Sequence, residues 1–485
     1  MIIFNFVIIY IFILLQTYYN LSSFYLILLY LLMIKLNQTQ QIIIVFIIKI
    51  IVGTTLLYLF GFNNKVYFKT THFMASLFTT VSAVCVTGLS VITPHKDLNL
   101  FGQIVLLFLI QIGGLGFLTF SNWVILSIRG KIHTNALLVS QESLGYLKII
   151  PIKFILKKVI IYTIAIEFIG ALILSVRFLF DFPLYHALWL GIFHSISAFC
   201  NAGFSLFATS LIDYQYDPIV NVTIMFLIIL GGLGFIVLYD LEKWLFKHSA
   251  NNTKCLSLHT KVVLTYTGIL IFIGTLFFLV FEWNNSFFAQ SFSIKFMKSL
   301  FLSITARTAG FNNVAISEMT NVSLMMLIFL MFIGASPGST GGGIKTTTFA
   351  VFYTFLRSQF KNHPYPEIFY RTVPYLKVNK ALGIVLMYFI LFILSVIALN
   401  VTELSHLSIL QARTFFIDIV FEVVSALSTV GLSTGITVHL SDQGLCVLMI
   451  CMFVGRLGPL AVISSMIHVK KKLNYSYPQG DIFIG

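Results

Sequence analysis

Four short stretches of this chain offer backbone oxygens of the kind that can replace the water around a cation. They are Ser82-Ala83-Val84-Cys85-Val86-Thr87-Gly88-Leu89-Ser90, Ser197-Ala198-Phe199-Cys200-Asn201-Ala202-Gly203-Phe204-Ser205, Thr305-Ala306-Arg307-Thr308-Ala309-Gly310-Phe311-Asn312 and Ser425-Ala426-Leu427-Ser428-Thr429-Val430-Gly431-Leu432-Ser433. Each is a run of small and hydroxyl residues, then one glycine, then Leu or Phe, then Ser or Asn. Glycine reaches positive φ at little steric cost, so a short run ending in it can aim its carbonyls at one point. The expected ligands are the backbones of Val86, Thr87 and Gly88; Asn201, Ala202 and Gly203; Thr308, Ala309 and Gly310; and Thr429, Val430 and Gly431. Carbonyls at flexible spacing favour a weakly hydrated monovalent ion such as K+. A divalent-ion filter would carry acidic rings, and these stretches hold no Asp or Glu. A single glycine of this kind could serve close helix packing alone; four in register favour an ion filter.

The glycines stand 115, 107 and 121 residues apart, and each is followed after 24 to 28 residues by a second mark. These marks are Gly113-Gly114-Leu115-Gly116-Phe117, Gly231-Gly232-Leu233-Gly234-Phe235, Gly334-Ala335-Ser336-Pro337-Gly338 and Gly455-Arg456-Leu457-Gly458-Pro459. Two marks that keep their distance through four copies identify one unit used four times.

The elements that hold these stretches must be membrane helices. With 58% hydrophobic and 9% charged residues, the chain lies far from the soluble average of about a quarter charged. Apolar runs of at least the ~20 residues that span a bilayer recur, and their uniform character excludes barrel strands. Each repeat reads as a span, an outer link, a half-apolar segment too short to cross, the glycine stretch and a returning span. The pieces are 41–60, 72–86, 87–92 and 100–127; 154–180, 185–200, 201–206 and 218–245; 259–283, 294–307, 308–312 and 321–355; and 380–401, 411–428, 429–434 and 443–468. Non-helical backbone survives at membrane depth only where it is buried or lines a water-filled cavity. The expected fold is therefore an all-α polytopic membrane protein: four repeats of span, pore helix, filter loop and span in pseudo-fourfold arrangement around one central pore. The repeats occupy 41–130, 150–247, 258–357 and 378–470, with an apolar segment 1–40 left unplaced and a tail 471–485.

The formal net charge of +14 serves topology rather than nucleic acid. Nineteen of the thirty Lys and Arg fall in the links and tail of one side, seven on the other. The positive-inside rule places the nineteen, and the C-terminus, in the cytoplasm of a multi-pass cell-membrane protein. Asp213, Asp217, Glu318, Asp418 and Asp442 fall outside, as a solvated loop face or a local attractor of cations. Five scattered cysteines form no CxxC pair, so neither a metal site nor a disulfide framework is expected. The first 34 residues lack a basic leading region and make a poor signal peptide.

The stretches from Ser82 to Leu89, Gln111 to Phe117, Thr305 to Asn312 and Ser425 to Gly435 resemble the Trk/Ktr/HKT superfamily of potassium transporters, most closely its KtrB-type subunits. The resemblance covers about residues 41 to 470. It implies four pore-loop repeats, a homodimer in the bilayer and a cytosolic nucleotide-binding (KtrA/TrkA-type) regulatory subunit. It further implies no bound cofactor, K+ as the transported ion and Na+ as a candidate activating ion. In the family a serine at the first filter glycine goes with Na+ permeation, whereas this chain has Gly88.

A gate is expected below the filter. Gly334-Ala335-Ser336-Pro337-Gly338-Ser339-Thr340-Gly341-Gly342-Gly343 interrupts the third repeat's returning span, where Pro and Gly break a helix. In the resembled family this segment obstructs the pore. A nucleotide P-loop is excluded because Ile344 separates the last glycine from Lys345 and no strand precedes it. Arg456 lies at a depth where an unpaired charge is costly, either paired with a neighbouring helix or repelling K+ beneath the filter. Arg307 is expected to pair within the pore helices, with Glu422 or Asp418 as partners.

The expected activity is K+ uptake through a gated filter, without catalysis. The alternatives are Na+ or ammonium translocation on the same fold and, from another class, an intramembrane hydrolase. The latter needs a paired nucleophile and base, and the adjacent His194 and Ser195 do not face each other on a helix.

Overall fold

The computed structural model describes residues 38–63, 71–115, 152–246, 256–404 and 409–459. The apolar first 34 residues and the tail 471–485 lie outside the described residues. The described residues are mainly helical: α1 Gln38–Leu56, continued by a π turn Leu57–Gly61, α2 His72–Cys85, α4 Leu100–Gly114 after a one-turn α3 Pro94–Asp97, α5 Ile152–Phe178, α6 Leu184–Phe199, α7 Pro218–Leu233, α8 Phe235–Phe246, α9 Leu258–Phe281, α10 Phe292–Thr305, α11 Asn321–Phe332, α12 Thr346–Phe360, α13 Tyr375–Leu404, α14 Ile409–Leu427 and α15 Asp442–Leu457. A two-residue strand pair, β1 Glu367–Ile368 with β2 Arg371–Thr372, is the one sheet among the described residues. The helical segments Ile43–Gly61, Leu156–Phe178, Leu258–Phe281 and Tyr375–Glu403 are each long and apolar enough to cross a bilayer. This is an all-helical membrane architecture.

The helices start where the sequence offers an oxygen to free backbone N–H groups. Thr71 accepts from Met74 N before α2, Asn99 from Gly102 N before α4, Ser257 from Thr260 N before α9, Thr320 from Ser323 N before α11 and Ser441 from Gly444 N before α15. Asp217 accepts from both Ile219 N and Val220 N, fixing the start of α7, and its other oxygen takes Arg177. So two of the expected outer acids have definite structural duties: Asp217 caps a helix, and Asp213 accepts from Thr209.

The helix after each glycine stretch packs against the helix that leads into the next stretch. α4 lies on α6, α7 on α10, α11 on α14, and α15 closes the series on α2. The returning helix of the second repeat is not continuous, as 218–245 was expected to be. It breaks at Gly234, φ +92°, and α7 and α8 meet at a bend of 102°. The physical reason is a hydrogen bond from outside the helix: Phe235 N donates to Gly338 O at 3.1 Å.

Glu282, at the end of α9, joins that helix to the start of α11. It accepts from Asn285 Nδ2 and Ser286 Oγ at 2.8 Å, from Thr320 N at 3.0 Å and from Thr320 Oγ1 at 2.9 Å. Burial pushes this carboxyl up, but the donors around it outweigh burial and leave it below the ordinary carboxylate value. A group depressed on folding contributes stability above its unfolded pKa, near 4.3 for Glu, and loses it as pH falls through the folded value. Glu282→Gln should therefore lower the thermal midpoint in detergent at pH 7 by the equivalent of about 2 kcal/mol. The gap between variant and parent should close as pH drops below about 4; a gap constant with pH would remove the carboxylate from this account.

Candidate functional site

The helices α2, α6, α10 and α14 lead into the four glycine stretches. At each end the chain turns into the left-handed region two residues before the glycine, at Val86 (φ 56°), Asn201 (58°), Thr308 (69°) and Thr429 (51°). The glycines follow suit: Gly88 has φ 97°, Gly203 69°, Gly310 82° and Gly431 94°. The residue between them is not left-handed, so φ changes sign at each step. Alternating hand turns successive peptide groups the same way, with N–H groups on one side and carbonyls on the other.

The glycines meet in a ring. A Cβ built on Gly203 would lie 2.8 Å from Ala309 O and 2.9 Å from Gly310 Cα. On Gly310 it would lie 2.5 Å from Val430 O and 3.2 Å from Gly431 Cα. On Gly431 it would overlap Thr87 O and lie 3.0 Å from Gly88 Cα, and on Gly88 it would overlap Ala202 O and lie 3.2 Å from Gly203 Cα. The four carbonyls met in turn, of Thr87, Ala202, Ala309 and Val430, occupy the same position in each stretch. Each helix also brings the partial negative end of its dipole, roughly half a charge, to the stretch it leads into.

Hydroxyls at one position near each helix end pin the loops. Gly88 N donates to Ser82 Oγ at 3.0 Å and Gly431 N to Ser425 Oγ at 3.1 Å. Ser197 Oγ donates to Phe204 O at 2.7 Å, and Thr305 Oγ1 to Phe311 O at 2.5 Å. The sequence had marked these residues only as small and polar. Their signal was the recurrence of Ser or Thr six residues before the glycine in three stretches and five before it in the third.

The second glycine mark has a local cause. A Cβ on Gly113 would come 2.5 Å from Val84 O, and one on Gly231 or Gly455 would overlap Phe199 O or Leu427 O. All three carbonyls lie four residues before the ring glycine of the stretch that precedes each mark. Gly334 instead faces Gly342 O, because here the helix opens into a loop.

That loop holds every residue from Gly334 to Gly343. It is closed by Gly334 N to Ile344 O (2.9 Å) and Ala335 N to Gly342 O (3.3 Å), and tied to α7 by Ser336 N to Gly232 O (3.1 Å) and Thr340 N to Gly231 O (3.2 Å). Thr340 Oγ1 donates to Phe199 O at 3.2 Å, Ser339 Oγ to Ser336 O at 2.6 Å, and Lys345 Nζ to Gly341 O at 2.6 Å. Pro337 and Gly338 form the turn nearest Gly234. A Cβ on Gly341 would overlap Thr308 Oγ1, and one on Gly342 would overlap Thr429 Oγ1. The loop thus lies against the third and fourth glycine stretches. Arg456 donates to Thr340 O in the loop and to Gly113 O in α4, so its partners are two carbonyls rather than a carboxylate.

The expected pairing of Arg307 is corrected. Glu422 is taken by Ser433 Oγ and Thr437 Oγ1, which pins the segment after the fourth glycine stretch. Arg307 is buried, and among the described residues it forms no ion pair. His194 and Ser195 are committed in different directions: His194 Nε2 pairs with Ser205 Oγ at 3.0 Å, and Ser195 Oγ donates to Glu167 O at 2.7 Å. Among the described residues no group of His, Cys, Asp or Glu could hold a metal ion.

The chain matches the family described as "TrkH: Cation transport protein" over residues 4–475. It is 37% identical over 454 residues to the Ktr system potassium uptake protein B of Bacillus subtilis, covering 93% of this chain and 98% of the relative. It is 34% identical over 455 residues to the potassium/sodium uptake protein NtpJ of Enterococcus hirae, with the same coverage. Among solved structures, that of the potassium transporter TrkH from Vibrio parahaemolyticus superposes with a TM-score of 0.61 at 19% identity, over 81% of this chain and 78% of the other, a likeness of fold.

Proposed function

Because the chain belongs to the TrkH family of cation transport proteins, we propose that it takes up K+ across the cell membrane through a filter made by its four glycine stretches. The observation that carries this is the ring in which each filter glycine abuts the carbonyl preceding the next. Four repeats of span, pore helix, loop and span then surround one central pore, with the backbones of residues 86–88, 201–203, 308–310 and 429–431 as ion ligands. Neutral carbonyls and helix-dipole ends stabilise a cation without holding it as a carboxylate would, which allows throughput. An inside-negative potential adds about 2.3 kcal/mol per 100 mV for each K+ entering.

The loop Gly334–Gly343 is the gate, and Arg456 is its fastening. The contacts of Gly341 and Gly342 with the third and fourth stretches support this, as do the two carbonyls that Arg456 bridges. A partner component is in line with the words "Ktr system" in the name of the Bacillus relative; that this partner is a cytosolic nucleotide-binding subunit, that the chain pairs as a homodimer and that its C-terminus faces the cytoplasm are part of the same proposal. Na+ is proposed as an activating ion, in line with the name of the Enterococcus relative.

The test is K+ uptake at low external K+ in bacteria lacking their own potassium systems, with a regulatory subunit co-expressed, with and without Na+. Rescue is expected, and Gly88→Ser should weaken it or shift it toward Na+. No uptake from a correctly inserted, partner-bound chain would remove the transport assignment. Uptake indifferent to Gly88 would keep transport and displace the filter from these glycines.

A further inference from the structure

Two residues before the filter glycine, three of the four stretches carry a polar side chain with nothing to bond. Both carboxamide atoms of Asn201, Thr308 Oγ1 and Thr429 Oγ1 have no hydrogen-bond partner among the described residues, and all three residues are fully buried. Buried polar groups are paired in the great majority of cases, because leaving one unpaired forfeits its hydration. Other buried hydroxyls, Thr87 and Ser428 among them, are also unpaired, but among the described residues this is the register position at which three repeats coincide. They also border one loop. The hydroxyls of Thr308 and Thr429 press on Gly341 and Gly342 so closely that no Cβ fits there, and a Cβ on Gly232 would lie 3.5 Å from Asn201 Nδ2 and 3.9 Å from Ala335 Cβ.

We propose that Thr308 Oγ1, Thr429 Oγ1 and Asn201 Oδ1 form a second cation site, built of side chains rather than backbone, between the filter carbonyls and the loop Gly334–Gly343. It rests on the transport function proposed above. Hydroxyl and amide oxygens resemble water as ligands, so they suit a weakly hydrated monovalent cation; Mg2+ and Ca2+ call for carboxylates. The first repeat has Val86 at the equivalent position, so the ring is open on one side and the ion keeps water there. Such a site divides rehydration into two steps as an ion leaves the carbonyls. It also explains why the loop beneath is glycine at Gly341 and Gly342: only backbone without side chains can close the site from below.

The experiment uses the full chain, purified for crystals soaked in Rb+ and reconstituted in liposomes for Rb+ flux. Wild-type crystals should show anomalous Rb+ density at two heights, one at the filter carbonyls and one beside Thr308 and Thr429. Thr308→Val with Thr429→Val, nearly isosteric, should remove the lower density, retain the upper and cut flux about tenfold or more, the effect of losing hydrogen-bond-like ligands to a charge. The paired serine variants should recover most of both. Should the valine pair fail to insert, Val86→Thr closes the ring with a third hydroxyl, its fourth side-chain ligand, and should raise the lower occupancy. Density at the carbonyls alone in wild type, undiminished lower density and flux in the valine pair, or no gain from Val86→Thr would each overturn the inference. A wild-type chain that neither bound nor moved Rb+ would overturn it together with the transport function.

Discussion

Gly431→Ala should reduce K+ uptake by about a hundredfold or more while leaving the chain in the membrane. Two costs add at this position. The backbone has φ +94°, where an L side chain is strained by roughly 1–2 kcal/mol. The new Cβ would overlap Thr87 O and press on Gly88 Cα at 3.0 Å, and overpacking of that kind costs typically 1–3 kcal/mol. Since the clash falls on a carbonyl proposed to hold the ion, the loop cannot relax without moving a ligand. Two other glycines separate the effects. Gly435, four residues on, has φ +100° with nothing within 4 Å of a built Cβ, so Gly435→Ala carries strain without a clash. Gly383 in α13 carries neither, and Gly383→Ala should match wild type or gain a little helix stability. Uptake should rank Gly383→Ala, then Gly435→Ala, then Gly431→Ala far below. Equal loss at Gly431 and Gly435 would mean that backbone strain suffices, and that the close approach to Thr87 has no special part.

This ring was legible in the sequence because its requirements are backbone requirements. A left-handed turn beside another main chain admits little but glycine, so geometry left the same residue at 88, 203, 310 and 431. The second mark was legible for the same reason at Gly113, Gly231 and Gly455, where a helix crosses a carbonyl. What sequence did not reveal are effects that come from a distant partner. Nothing in Gly231-Gly232-Leu233-Gly234-Phe235 distinguishes it from Gly113-Gly114-Leu115-Gly116-Phe117 as a helix breaker. The bend at Gly234 follows from Gly338 O, a hundred residues away, taking the N–H of Phe235. Arg307 and Glu422 were matched by charge alone, yet Glu422 satisfies the nearer hydroxyls of its own repeat. Buried charges choose partners by geometry, and composition does not carry geometry.

Arg456→Gln should raise Rb+ leak through reconstituted protein lacking its regulatory subunit. Arg456 is the point at which the loop, through Thr340 O, is joined to α4, through Gly113 O. Hydrogen bonds from a charged donor contribute about 1.5–3 kcal/mol each, and losing one shifts a closed-to-open ratio by roughly ten- to a hundredfold. A competing cause is simple repulsion, in which the guanidinium charge alone bars K+. Arg456→Lys separates the two. It keeps the charge, but an ammonium on a flexible stem does not reproduce a fork that spans two carbonyls. If the bridge holds the gate, lysine and glutamine variants should leak alike; if charge bars the ion, lysine should stay tight and glutamine alone should leak. The bridge is the better supported cause, because both groups that Arg456 meets are carbonyls on separate elements, Thr340 O in the loop and Gly113 O in α4, so its charge is engaged by hydrogen bonds. A shorter neutral side chain at this position cannot span the two carbonyls, so the tie between the loop and α4 is lost in the glutamine variant.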